Sequence, residues 1–201
     1  MKGADIMYQK LTQKYNVLNQ LAEADGTVIF GTGKDVEIPL GELKQAFAIK
    51  DCIYNRSFPN LSIMDASRYY RECVSELFPN TVLLHIGEAD AAAFSGNEDA
   101  FDKAYVELID TIRSNNKDCR IVIVSQKNHT NDAMVSDMNC LLRDIAAAEK
   151  CEFEDISAKC SWNIKECSKT SSFLYEIGFD RPLNIKRPIY NLVRILFCYE
   201  G

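Results

Sequence analysis

Along the chain the apolar positions switch repeatedly between a spacing near 3.6 and short unbroken runs, the signature of helices alternating with strands. Met7, Leu11, Tyr15, Leu18 and Ala22 lie on one helical stripe that closes near Gly26. A β-branched and aromatic run at 27–30 follows and ends in the tight sequence Gly31-Thr32-Gly33, which predicts a buried strand and a sharp turn. Pro39 opens a short helix reaching Phe47, and 52–54 form a brief second strand. Ala66, Tyr70, Cys73 and Leu77 share one face of a third helix that stops before Pro79. The near-continuous apolar run at 81–86 is expected of a strand covered on both faces. Two further amphipathic helices bury Phe101, Tyr105, Leu108, Ile109 and Ile112, then Met134, Met138, Leu141, Leu142 and Ile145, on either side of a strand at 120–125. A last strand falls at 152–156, a polar stretch at 157–172 yields no element, and Ile189, Leu192, Val193, Leu196 and Phe197 predict a closing helix after Pro188.

This alternation implies right-handed crossovers, a parallel sheet of about five strands, and a three-layer α/β/α doubly wound fold. With 201 residues, the whole span 1–201 is expected to be a single domain. In such sheets ligands gather outside the strand carboxyl ends, so the loops at 31–35, 55–60, 87–94 and 178–184 should converge. The first of these does not cradle phosphate: a Walker loop would need Gly at Val28 and Ser or Thr at Asp35, and a dinucleotide fingerprint Gly at Val36.

Composition narrows the partners. Twenty-three basic and 29 acidic residues give a net charge of −6 without long runs, which argues against nucleic acid or a membrane as a partner. The first ten residues lack the apolar core of a signal peptide, and no segment approaches a membrane span, so a cytoplasmic location is expected. Eight cysteines occur without a Cys-x-x-Cys pair, and Cys73 and Cys140 fall in helical apolar patterns. They read as small buried hydrophobes. Cys160 and Cys167 lie seven apart with no histidine near them, which makes a poor zinc site, and no metal or cofactor is expected.

Four segments at the ends of successive strands resemble the sequence blocks of the SGNH, or GDSL-type, hydrolases and esterases. Phe30-Gly31-Thr32-Gly33 is similar to the family's Gly-Asp-Ser block, with Gly33 at the nucleophile. Asn55-Arg56-Ser57 resembles its Asn-Arg-Gly turn, and Gly87-Glu88-Ala89-Asp90 its Gly-x-Asn-Asp block, with Ala89 at the oxyanion-hole asparagine. Asp180-Arg181-Pro182-Leu183 is the match to Asp-x-x-His, which puts Leu183 at the histidine and leaves Asp180 as a remnant. The resemblance implies an SGNH-type, flavodoxin-like architecture for most of the chain.

Acyl transfer needs a hydroxyl, a base and donors for the oxyanion, and Gly33, Leu183 and Ala89 supply none of these. The expected function is therefore a pseudoenzyme that has lost acyl-ester hydrolysis. It would bind a small molecule or a protein partner in the inherited crevice, through Thr32, Gly33, Lys34, Asn55, Ser57, Glu88 and Asp90. The alternative is an active esterase using Thr32 or Ser57 with His129 as base; both hydroxyls also read as turn residues bonding local backbone. His85, the other histidine, reads as a hydrogen-bonded structural residue inside its strand. Glu88 and Asp90, with Asp35 and Asp180, could form an acidic cluster partly neutralised by Lys34 and Arg56, but the stronger reading has Asp90 capping its own turn and Glu88 solvated.

Overall fold

A computed structural model describes residues 3–128, 132–157, 162–163 and 187–200. Five parallel strands, β1 (Thr27–Gly31), β2 (Ile53–Asn55), β3 (Thr81–His85), β4 (Arg120–Val124) and β5 (Glu152–Glu154), form one sheet in the order β2-β1-β3-β4-β5. β1 and β3 run side by side over their whole length, from Thr27 opposite Thr81 to Gly31 opposite His85. Their loops therefore leave the same end of the sheet as near neighbours, which is the geometry of a ligand crevice.

Strand alternation distributes the core between two layers. Val28, Phe30, Val82, Leu84, Ile121 and Ile123 pack against α1 (Gly3–Asn19), α3 (Ile63–Cys73), α5 (Glu98–Asn115) and α6 (Ala133–Ala148). Ile29, Leu83, Val122 and Val124 face the thinner layer of α2 (Leu40–Ala46) and α7 (Pro188–Phe197). A one-turn α4 (Ala91–Phe94) follows β3, and a two-residue parallel pair, β6 (Trp162–Asn163) with β7 (Tyr199–Glu200), stands apart from the main sheet. The doubly wound parallel sheet read from the sequence is thus present, with strand limits shifted by a residue or two.

Two expectations need correction. The stripe on α1 is rotated: Tyr8 packs edge-on against Tyr69 and Phe58, whereas Met7 and Leu18 are 43% and 39% exposed. Aromatic side chains reach further into the core than Met or Leu at the neighbouring position, so Tyr8 and Tyr15 set the phase. The cysteines are also less uniform than expected, because Cys73 and Cys119 are buried but Cys140 is exposed and Cys198 is disulfide-bonded. Cys140 lies beyond the stripe that Met138, Leu142 and Ile145 bury, on the outer side of α6. The stretch at 157–172 falls largely outside the described residues.

Polar bonds fasten α1 to the sheet end. The Tyr15 hydroxyl, its pKa pushed up to about 12 by burial, donates to the Ser57 carbonyl at 2.5 Å. Arg56 is buried, donates to Asn19 Oδ1 and to the Asn55 carbonyl at 2.9 Å each, and stacks over Tyr15 and Tyr54. Burial lowers its pKa, and among the described residues no carboxylate pairs with it, so cation–π contact and two acceptors carry its charge. We expect Tyr15→Phe to lose about 1–2 kcal/mol in chemical denaturation, because the Ser57 carbonyl is left buried without its donor. An unchanged denaturation midpoint would contradict that role.

Candidate functional site

Three of the four predicted loops meet at the carboxyl end of the sheet. β1 continues through a bridge between Thr32 and Phe58 into a 3-10 turn, Gly33–Glu37, and β3 leads through Gly87 into a second 3-10 turn, Glu88–Asp90. The loop 178–184, with Asp180 and Leu183, and His129 lie outside the described residues.

The position that resemblance matches to a nucleophile has a specific geometry. Gly33 has φ of +62°, a left-handed conformation that L side chains adopt at a cost. A Cβ added there would overlap Glu88 Oε2 and stand 2.9 Å from Glu88 Cδ. The carboxylate of Glu88 thus occupies the space into which a side chain at Gly33 would project. Among the described residues that carboxylate has no hydrogen-bond or ion-pair partner. Ala89 next to it is exposed and carries no donor beyond its backbone.

Beneath the crevice lies a pair that no local sequence pattern announces. His85, the last residue of β3, bonds through Nδ1 to Asp35 Oδ2 at 2.7 Å, and both residues are buried. Gly31 makes this possible, since a Cβ there would overlap the same Asp35 oxygen and lie 3.2 Å from the His85 carbonyl. On its other side the imidazole meets the edge of Phe197 at 4.9 Å between centroids, and Nε2 has no hydrogen-bond partner among the described residues. His85 and Thr32 point to opposite faces of the sheet, because Gly31 is opposite His85 in register and Thr32 follows it. Among the described residues no hydroxyl bonds this dyad, and His85 is buried and hydrogen-bonded within its strand.

The second block is consumed by internal bonds. Asn55 Nδ2 donates to the Asp35 carbonyl at 2.7 Å, its Oδ1 accepts from the Ser57 backbone N–H at 3.0 Å, and Ser57 Oγ accepts from the Gly31 N–H at 3.1 Å. Ser57 is fully buried, so its hydroxyl serves the neighbouring strand rather than the crevice. Thr32 differs from the expectation of a backbone-bonded turn hydroxyl: it is 1% exposed and its Oγ1 has no partner among the described residues. Across β3 the buried Gln126 sets its amide 3.4 Å from a Cβ built at Gly87, and its Nε2 is likewise unpartnered. Gln126 went unnoticed in the sequence, where it is one polar residue after a strand.

The described carboxylates of the expected acidic cluster, Asp35, Glu88 and Asp90, do not gather. Asp35 turns inward to His85, while Asp90 accepts from Ser62 Oγ at 2.5 Å and the Ile63 N–H at 2.9 Å. Asp90 is thus a cap, but of the start of α3 rather than of its own turn, where a carboxylate complements the helix dipole. Among the described residues no group of three metal-ligating side chains occurs. Arg56 faces α1, and of the two expected neutralising cations only Lys34 stays on the exposed loop.

No family model matches the sequence, and no curated protein does so. Solved structures do match in shape. A Streptococcus pneumonia protein provisionally described as a platelet activating factor superposes with a TM-score of 0.65 at 15% identity, over 94% of this chain and 91% of that one. The fold is that of the GDSL-type hydrolases. A Parabacteroides merdae protein provisionally described as a GDSL-like lipase gives 0.58 at 10% identity, over 87% and 95% of the two chains. A Bacteroides fragilis protein provisionally described as an acylhydrolase gives 0.58 at 19% identity, over 77% and 78%. Identities this low establish the shared architecture alone.

Two outcomes follow from the geometry. His85→Leu leaves the Asp35 carboxylate buried without a partner and should cost about 3 kcal/mol in denaturant unfolding, while His85→Leu with Asp35→Leu should recover part of that loss. Strictly additive losses would show that the two side chains are not coupled. Gly33→Ser should cost about 1–2 kcal/mol from its left-handed backbone, and Glu88→Ala should relieve the added overlap. If Gly33→Ser is equally destabilising with and without Glu88, the carboxylate does not occupy that space.

Proposed function

We propose that this protein is a GDSL-fold binding protein that no longer hydrolyses acyl esters and holds a small polar ligand in the crevice at the strand carboxyl ends. The observation that carries the reading is the Glu88 carboxylate standing in the side-chain space of Gly33. A hydrolase of this architecture needs a hydroxyl there. A carboxylate instead gives an acceptor for hydrogen-bond donors or a positive charge, and repels the electron-rich oxygens of an ester.

The unpartnered Thr32 Oγ1 and Gln126 Nε2 support the ligand half of the reading. Buried polar groups without partners are costly, and those that persist around a crevice are offset when a ligand supplies the missing bonds. Gly33, Lys34, Glu88 and Ala89 form the exposed or half-exposed rim, and Asn55, Ser57 and Asp90 support it from beneath.

The competing reading, Thr32 or Ser57 as nucleophile with His129 as base, meets a structural objection. Ser57 is fully buried and its Oγ already accepts from the Gly31 N–H, and Thr32 lies on the opposite face of the sheet from His85, the one histidine among the described residues. Purified protein should show no saturable turnover of p-nitrophenyl acetate that a fluorophosphonate abolishes. Stoichiometric labelling of Thr32 or Ser57, lost in His129→Ala, would overturn the proposal.

Rebuilding the constellation offers a complementary check. Gly33→Ser, Ala89→Asn and Leu183→His together should remain inactive while Glu88 is present, and should gain esterase activity only when Glu88→Ala is added, since triad members act as a unit. Activity in Gly33→Ser alone would contradict the assignment.

A further inference from the structure

The described residues expose seven large hydrophobic side chains, and five of them, Ile6, Met7, Val17, Leu18 and Leu21, come from α1 and its exit. Their exposures are 44%, 43%, 61%, 39% and 82%. At 100° per residue they form a stripe on the side of the helix away from Tyr8, Tyr15 and Ala22, running roughly 22 Å from Ile6 to Leu21. A bond from the Asp25 N–H to the Leu77 carbonyl, at 3.3 Å, ties the chain carrying Phe78, 53% exposed, to the exit of α1. Scattered single hydrophobics are ordinary on a surface, but a contiguous stripe marks an interaction site.

Lys10 and Lys14 lie within the stripe, and neither has an ion-pair or hydrogen-bond partner among the described residues. Residues 6–22 contain these two lysines and no carboxylate, whereas the whole chain carries −6. The charge is therefore uneven: α1, with Lys10 and Lys14 against Asp5 at its start, carries +1, whereas the whole chain carries −6.

We infer that the outer face of α1 is a docking surface for an anionic lipid bilayer. A second copy of this chain would bring Lys10 and Lys14 against Lys10 and Lys14, and a protein interface core is depleted in lysine. At a lipid surface the same lysines lay their stems along the apolar stripe and raise their ammonium groups to the phosphates. The convex helix face lies flat on the bilayer, and repulsion of the anionic remainder orients the domain with α1 down. Whole-chain charge argues against a membrane partner only if that charge is spread evenly, and α1 breaks this condition. Among the described residues no helix is long and apolar enough to cross a membrane, so the contact is peripheral.

The test is co-sedimentation of the full chain with phosphatidylcholine vesicles, with and without phosphatidylglycerol. The protein should pellet with the anionic vesicles at low salt, be released as salt rises, and stay in the supernatant with phosphatidylcholine alone. Lys10→Glu with Lys14→Glu should reduce partitioning at least ~10-fold, and Val17→Asp with Leu21→Asp should abolish it. All four positions lie on the exposed stripe, so circular dichroism and the thermal midpoint should match the parent protein. The proposal is overturned by absence of binding to anionic vesicles, by binding that both double variants leave intact, or by lipid-free dimerisation through the same residues.

Discussion

The bond between Asp35 and His85 is the constraint around which the crevice end of this protein is arranged. It joins residues 50 positions apart, the turn after β1 and the end of β3, and it does so through space that Gly31 leaves empty. Asn55 adds the end of β2 by bonding the Asp35 carbonyl. Three strand ends are thereby fixed to one 3-10 turn, and Gly33, at its start, is held in a left-handed conformation beside Glu88. Buried networks of this kind specify one arrangement because any half-satisfied alternative is costly.

That rigidity separates fold from chemistry. The five-stranded sheet reproduces the architecture of GDSL-like hydrolases, and the positions matched by resemblance to the nucleophile and the oxyanion-hole asparagine hold Gly33 and Ala89. Layer packing depends on Phe30, Leu84, Tyr70 and Tyr105, none of which is a reacting group, so the scaffold survives changes at the loop tips. Among the described residues Thr32 Oγ1 and Gln126 Nε2 are buried at this end of the sheet without hydrogen-bond partners.

Much of this was legible in the sequence because periodicity reports burial. The runs at 27–30, 81–86 and 120–125 became β1, β3 and β4, and the loops at 31–35, 55–60 and 87–94, expected to converge outside the strand carboxyl ends, leave the same end of the sheet. Phase on α1 was less legible, since two apolar stripes lie side by side and only packing against Phe58 and Tyr69 chooses between them. The Asp35–His85 bond and the contact of Glu88 with Gly33 left no local trace. Both depend on the β1–β3 register, which brings together residues that are tens of positions apart in the chain. Asp90 showed its capping chemistry but not which helix it caps.

A crystal structure of the unmodified protein at a resolution that defines side-chain oxygens tests the central claim most directly. The account predicts Gly33 with positive φ and the Glu88 carboxylate packed against it, with Thr32 and Ser57 closed off from solvent. Density showing Glu88 turned away, and the Thr32 or Ser57 hydroxyl open to the crevice within hydrogen-bond reach of the His129 imidazole, would contradict it.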